Sequence, residues 1–329
     1  MSAKKLISMA VALIVLTAVA LMQQSGGKKH AAQAVEQTLL FQGLELNSIT
    51  HVEISQGLDR VALAKSDGTW KVESLYDYPA DFDKLAQALH AASEIETGRP
   101  IRSANVATSE YGFDNAKIIV LKSGDKEAIK LEVGAQREAS REAGWANQHF
   151  VRKNGNDDIY LVDYDFRPFT TESDNWIDTE LMNISSSDIV SVKTADAELK
   201  EDAGKWTIIG LNEETEELQT AEANKLRSAL QYLNCTSVAD PDKSDADLGF
   251  NNPTAYTAST TNKTITVTVG NQTDGGRYIQ LSGDVPEKLT EWTYVVSNYK
   301  ADNLLINRGN LVKEKEETSI QPPTTEEIK

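Results

Sequence analysis

Four histidines, one cysteine and fifty acidic side chains are the groups in this 329-residue chain from which an active centre could be built. His30, His51, His90 and His149 stand far apart, with no HxxxH pair and no CxxC, so no metal ligands are expected. A Ser-His-Asp hydrolase would show a nucleophile-elbow GxSxG, which the chain lacks. Cys235 follows an apolar run containing Leu226, Leu230 and Leu233 and has no base beside it. As the sole thiol it closes no internal disulfide and reads as a small buried hydrophobe. Gly275-Gly276-Arg277 leads into a strand rather than opening a helix, so it is a tight turn and not a phosphate cradle. Asn154-Gly155-Asn156-Asp157-Asp158 lacks the spacing and closing glutamate of a calcium loop and reads as a hairpin turn. No catalytic, cofactor-binding or metal residue is therefore expected, and the chain is expected to be non-enzymatic and to act by binding. A formal net charge of -17, with no basic stripe, argues against a nucleic-acid partner.

The elements on which any binding surface must sit occur twice. Asp67-Gly68-Thr69-Trp70-Lys71-Val72 recurs as Ala203-Gly204-Lys205-Trp206-Thr207-Ile208, and Tyr111-Gly112-Phe113-Asp114-Asn115 as Leu248-Gly249-Phe250-Asn251-Asn252. Glu132-Val133-Gly134 returns as Thr268-Val269-Gly270. Preserved order at nearly constant spacing indicates one supersecondary unit built twice, with Trp70, Trp206, Gly112, Gly249, Gly134 and Gly270 as its markers. The tryptophans are expected to pack strand against helix, and Gly112 and Gly249 to serve a positive-φ turn or a close backbone approach.

Each copy reads as two strands, a helix and about four strands with turn-length connections, hence an α+β fold: a mostly antiparallel sheet packed on one main helix. Asp-Gly at 67–68 is a hairpin signal, and Tyr78-Pro79-Ala80-Asp81 starts a helix whose face carries Phe82, Leu85, Ala86 and Leu89. The helix of the second copy is expected to hold Leu226, Leu230 and Leu233. The organisation read from this pattern is an anchor over 1–22, a tether over 23–43, repeats over 44–165 and 186–306, a connector over 166–185, and a disordered acidic tail over 307–329.

Lys4 and Lys5 precede an apolar run from Leu6 to Met22, near the lower limit for spanning a hydrocarbon core of about 30 Å. A cleaved signal peptide with its site at Ala18-Val19-Ala20 is the rival; an uncleaved transmembrane anchor is favoured because the run continues through Leu21 and Met22. Either way the body is exported, the basic start remaining in the cytoplasm.

Anchor, Asp67-Gly68-Thr69-Trp70, Tyr78-Pro79-Ala80-Asp81, Tyr111-Gly112-Phe113-Asp114 and Glu132-Val133-Gly134 together resemble domain of unknown function 4340, a bacterial envelope family of the gliding-motility ABC-transporter auxiliary type. The likeness is strong over about residues 44 to 185; the second copy lacks the Tyr-Pro pair and has Leu248 for Tyr111. The family brings no catalytic residues. The resemblance implies a single-pass inner-membrane protein, its body in the periplasm, that assists an ABC-type transporter or envelope assembly, with membrane proteins such as permease components as partners. The alternative is a glycan- or peptide-binding module with a cleft between the repeats. Tyr76, Tyr78 and Trp145 are candidate aromatics for a binding surface.

Overall fold

The computed structural model describes residues 38–98, 100–101, 108–137, 147–156 and 158–315. The expected anchor, most of the tether, Trp145 and residues 316–329 lie outside the described residues. Among the described residues no helix is long and apolar enough to cross a membrane.

The first unit opens with strands β1 (His51–Gln56), β2 (Asp59–Ser66), β3 (Thr69–Val72) and the short β4 (Tyr78–Pro79). Alternation places Val52 and Ile54 of β1 and Val61 and Leu63 of β2 in the core. Asp67 and Gly68 join β2 to β3 at φ 52° and 82°, two consecutive left-handed residues whose twist matches that of the flanking strands. Helix α1 (Phe82–Ser93) starts where the Asp81 carboxylate accepts from the Lys84 amide at 3.0 Å. Leu85, Ala88, Leu89 and Ala92 form its buried face, each leucine contributing roughly 1.5–3 kcal/mol relative to exposure. Strands β5 (Lys117–Ser123), β6 (Lys126–Gln136), β7 (Gln148–Lys153) and β8 (Ile159–Asp163) follow. The eight-stranded sheet has the order β8-β7-β6-β5-β1-β2-β3-β4, with every pairing antiparallel. Two strands were expected before the helix; the hairpin turn at Asp67-Gly68 makes a third, and β4 adds a short fourth.

The second unit supplies β9 (Ser191–Lys193), β10 (Glu198–Asp202), β11 (Lys205–Ile208), β12 (Glu216–Leu218) and helix α2 (Thr220–Arg227). Then come β13 (Ser237–Val238), the single-turn α3 (Asp245–Leu248), and strands β14 (Thr254–Ser259), β15 (Thr264–Thr273), β16 (Gly276–Gly283) and β17 (Tyr294–Val296). Its eight-stranded sheet, also antiparallel throughout, runs β11-β10-β9-β14-β15-β16-β17-β13. In both sheets the last four strands of the sheet in chain order run in sequence and the first strand of the unit joins them, followed by its two hairpin partners. Helix α2 is shorter than expected. It ends at Arg227, leaving Leu230 in the following turn and Leu233 in a short strand, Leu233–Asn234, that pairs with Glu180–Met182. Tyr232, at φ 50°, turns the chain into that strand and so takes Leu233 out of the helix.

The connector is structural. Phe166, Phe169 and Trp176 are buried, and the Trp176 indole donates to the Thr170 carbonyl at 3.0 Å. Ile177 bridges Ala80, the Asp178 amide donates to Pro79, and the Cys235 amide donates to Thr179, so the connector threads between the two units. One continuous apolar cluster runs through both units. Order also extends further at both ends than the sequence suggested. Thr38–Leu39 pairs with Glu96–Thr97, and Leu40 and Phe41 are buried, so the end of the expected tether belongs to the core. After α4 (Asn298–Leu304), Asn307 caps α5 (Arg308–Leu311) through a reciprocal box with Asn310, and β18 (Val312–Glu314) pairs with β12. The expected tail from 307 therefore begins with ordered structure as far as Lys315, because the β12 edge and the Asn307 cap satisfy its backbone.

Candidate functional site

The glycine markers meet in pairs. Gly112 (φ 76°) lies over the β6 backbone so closely that a Cβ there would sit 2.6 Å from the Ala135 amide nitrogen. A Cβ on Gly134 would in turn collide with the Tyr111 carbonyl oxygen and lie 3.3 Å from the Phe113 ring. Gly249 (φ 87°) crosses β15 in the same way, with a Cβ 2.5 Å from the Asn271 nitrogen, and Gly270 faces the Leu248 carbonyl and the Phe250 ring. At both crossings the strand carries a bulge, between Val133 and Gln136 and between Val269 and Gln272. The Arg152 guanidinium covers the Phe113 ring at 4.8 Å and bonds Glu132, itself almost fully buried. These four glycines are backbone-crossing positions.

The tryptophan markers part company. Trp70 is buried, as core packing requires, whereas Trp206 is half-buried and carries the Arg227 guanidinium 4.1 Å above its ring. Shared strand position did not give shared environment, because a strand covers the edge beside Trp70 and no described strand covers the edge beside Trp206.

At the junction of the units, Tyr78 is buried and not a surface aromatic. Its hydroxyl donates to the Asp178 carbonyl at 3.2 Å, and its ring meets Trp292 and Tyr294 edge-on at 5.0 and 6.3 Å. Cys235 packs in the same knot, and burial pushes its thiol up to about 12, so it stays a thiol at neutral pH. Burial likewise raises the Tyr78 and Tyr294 phenols. His51 is half-buried, its Nδ1 3.8 Å from Glu73 and its Nε2 enclosed without a partner among the described residues.

Beside the knot opens a groove of about 500 Å³, lined from both units by Tyr76, Asp174, Thr236, Asp240, Lys243 and Tyr278. Tyr76 and Asp77 occupy the left-handed region at φ 56° and 58°, a conformation costing side-chain-bearing residues roughly 1–2 kcal/mol each. This turn places Tyr76, 44% exposed, at the groove wall. Burial and then Asp240 hold its phenol above the usual range, with Lys243 opposing. The Lys243 ammonium lies 5.9 Å from the Tyr278 ring centroid. Aromatic faces flanked by carboxylates suit a cationic or hydrogen-bonding group on a partner. Tyr76 was among the aromatics picked out from the sequence; Asp174, Asp240, Lys243 and Tyr278 carried no local signal, since they converge only through the packing of the units. Among the described residues no group of three His, Cys, Asp or Glu side chains could hold a metal ion.

The family model described as Domain of unknown function (DUF4340) matches residues 70–253, more than half of the chain. The match starts at Trp70 and takes in Gly112, Gly134, Trp206 and Gly249. It therefore runs across both units rather than over 44 to 185 alone. No curated protein and no solved structure matches the chain.

Proposed function

The chain belongs to the DUF4340 domain family, and from that premise we propose a non-enzymatic accessory protein, tethered to the inner membrane by residues 1–22 and placing its body outside the cytoplasm. Its role is to hold a docking surface against membrane proteins of an ABC-type transporter of the gliding-motility auxiliary kind, permease components first among them. The body is two copies of one α+β unit; the common strand order, the paired glycine crossings and the repeated bulges support that duplication. The apolar run from Leu6 to Met22 behind Lys4 and Lys5 supports the tether.

The observation that carries the docking role is the continuous apolar core across the junction. A hinged ligand trap needs two lobes joined by few contacts, whereas here connector, Tyr78, Trp292 and Cys235 share one core and backbone hydrogen bonds cross it. Such a body presents a surface instead of closing on a ligand, and Tyr76 is its strained, projecting contact. Confinement at a membrane raises the effective concentration of even a modest contact. Mild-detergent pulldown of the full-length chain should recover permease components, and Tyr76→Ala should recover at least severalfold less. Equal recovery by both, or recovery of no integral membrane protein, refutes the assignment.

The junction groove also favours a second reading, a small-ligand module in the cleft between the units, for a glycan or peptide. Its volume and its paired tyrosines suit a sugar or a cationic side chain. Glycan-array binding that is lost in Tyr278→Ala and Tyr76→Ala, with no membrane protein captured, would select it over the docking role.

A further inference from the structure

The outer edges of the two sheets are finished differently. In the first unit the strand before the helix, β4, closes the edge: Lys71 faces Pro79, Val72 faces Tyr78, and the Ala80 amide donates to the Trp70 carbonyl at 2.9 Å. Pro79 then offers no outward N–H to a further strand. In the second unit the strand before the helix, β12, pairs with β18 instead, and among the described residues β11 is the terminal strand. A groove of about 520 Å³ separates them, lined by Trp206, Thr207, Leu211, Leu218, Ala223 and Arg227.

The unpaired backbone groups of β11 can be assigned. Ile209 donates to the Glu198 carbonyl at 2.8 Å, and the two-residue turn Ala203-Gly204 joins Asp202 to Lys205. Alternation in an antiparallel ladder then turns Thr207 toward β10 and turns the N–H and C=O of Trp206 away from it, into the groove. The same parity in the first unit is what lets Ala80 reach Trp70. A second unsatisfied group lies alongside. Arg227 donates to Asn224 Oδ1 at 3.2 Å and to the Ser186 carbonyl at 3.1 Å, but its Nε is enclosed and has no partner among the described residues. Glu216, one of three glutamates lining the groove with Glu213 and Glu217, is tied to Arg308 at 2.8 Å, and among the described residues the Arg227 guanidinium makes no ion pair.

We propose that this groove is a strand-addition site for an extended peptide of a partner protein with an aromatic-proline-small pattern. The peptide lies antiparallel on β11 as Tyr78-Pro79-Ala80 lies on β3. Its small residue donates to the Trp206 carbonyl, and one of its oxygen acceptors meets the face of the Arg227 guanidinium that lines the groove. Main-chain bonds supply the affinity of such docking, and side chains alternating into the groove supply the selectivity. The site rests on the matching parity of the two edges and stands whether or not the chain is membrane-tethered.

The test uses the full-length chain in detergent and an acetylated, amidated peptide with the sequence of residues 75–82, at up to about 1 mM. Amide exchange of the Trp206 and Ile208 N–H groups should slow on addition of the peptide and not on addition of its scrambled form. N-methylation of the alanine nitrogen removes the donor to the Trp206 carbonyl and should weaken binding about tenfold in calorimetry. Unchanged exchange at β11, or equal binding of the N-methylated peptide, overturns the proposal. Protection already present without peptide also overturns it in either of two cases: if it vanishes in a chain ending at Lys315, the chain's own tail fills the groove; if it grows with protein concentration, a second copy does.

Discussion

Replacing Gly134 with alanine separates steric crossing from conformational need. Gly134 lies outside the left-handed region, so alanine meets no backbone strain there; its methyl group meets the Tyr111 carbonyl oxygen and, at 3.3 Å, the Phe113 ring. The obstructing atom belongs to a backbone turn pinned by the Gly112 amide bonding Ser109 at 3.0 Å, so relief requires lifting the turn off β6. Overpacking of this kind costs about 1–3 kcal/mol, and a backbone obstacle places Gly134→Ala at the upper end. Gly68→Ala is the comparison: φ is 82° with nothing within 4 Å, so only the left-handed penalty of about 1 kcal/mol applies. At roughly 2–4 °C per kcal/mol, thermal unfolding followed by circular dichroism should fall by about 6–12 °C for Gly134→Ala and about 2–4 °C for Gly68→Ala. Gly270→Ala should match Gly134→Ala, because its Cβ meets the Leu248 carbonyl in the same way. A Gly134→Ala chain no less stable than Gly68→Ala would refute the crossing as the reason for the glycine.

Tyr76→Gly should raise the unfolding free energy in urea titration by about 0.5–1 kcal/mol, by releasing left-handed strain, while weakening partner recovery; a fall in stability would show that the ring, not the turn, is what matters there. Tyr78→Phe removes the bond to Asp178 while keeping the edge-on contacts, and urea titration should show a loss of about 1 kcal/mol. The Cys235 thiol, raised by burial from an ordinary 9.0 to about 12, gives a stability contribution that is full below pH 9. Above pH 9 the unfolded thiol ionises first, so that contribution is lost progressively toward pH 12, and Tyr78 and Tyr294 act in the same direction. The same shift lowers the native thiolate fraction on the order of a thousandfold, so iodoacetamide at pH 8 should label Cys235 far more slowly in the native chain than in urea. Equal labelling rates would contradict its burial.

The sequence alone determined the local features. Asp67-Gly68 and Ala203-Gly204 dictate two-residue hairpins, since two successive left-handed residues need little more than a glycine and its neighbour. Asp81 and the spacing of Leu85 and Leu89 dictate α1, and turn-length links between apolar alternations dictate antiparallel sheets. Tertiary structure decided everything that depends on which edge meets which. Trp70 and Trp206 share a local sequence, yet one is buried and the other half-exposed, because β12 is drawn away to β18, a strand nearly a hundred residues further along the chain. Leu233 fits a helical period but joins a strand with Glu180–Met182, whose free edge no local pattern announces. Tyr78 looks like a surface aromatic until Trp292 and Tyr294 close over it, and Asp174, Asp240 and Lys243 become one groove wall only after the connector packs the two units together. Local conformation follows from neighbours within a few residues, whereas burial and convergence follow from long-range pairing that the chain settles only once both sheets have formed.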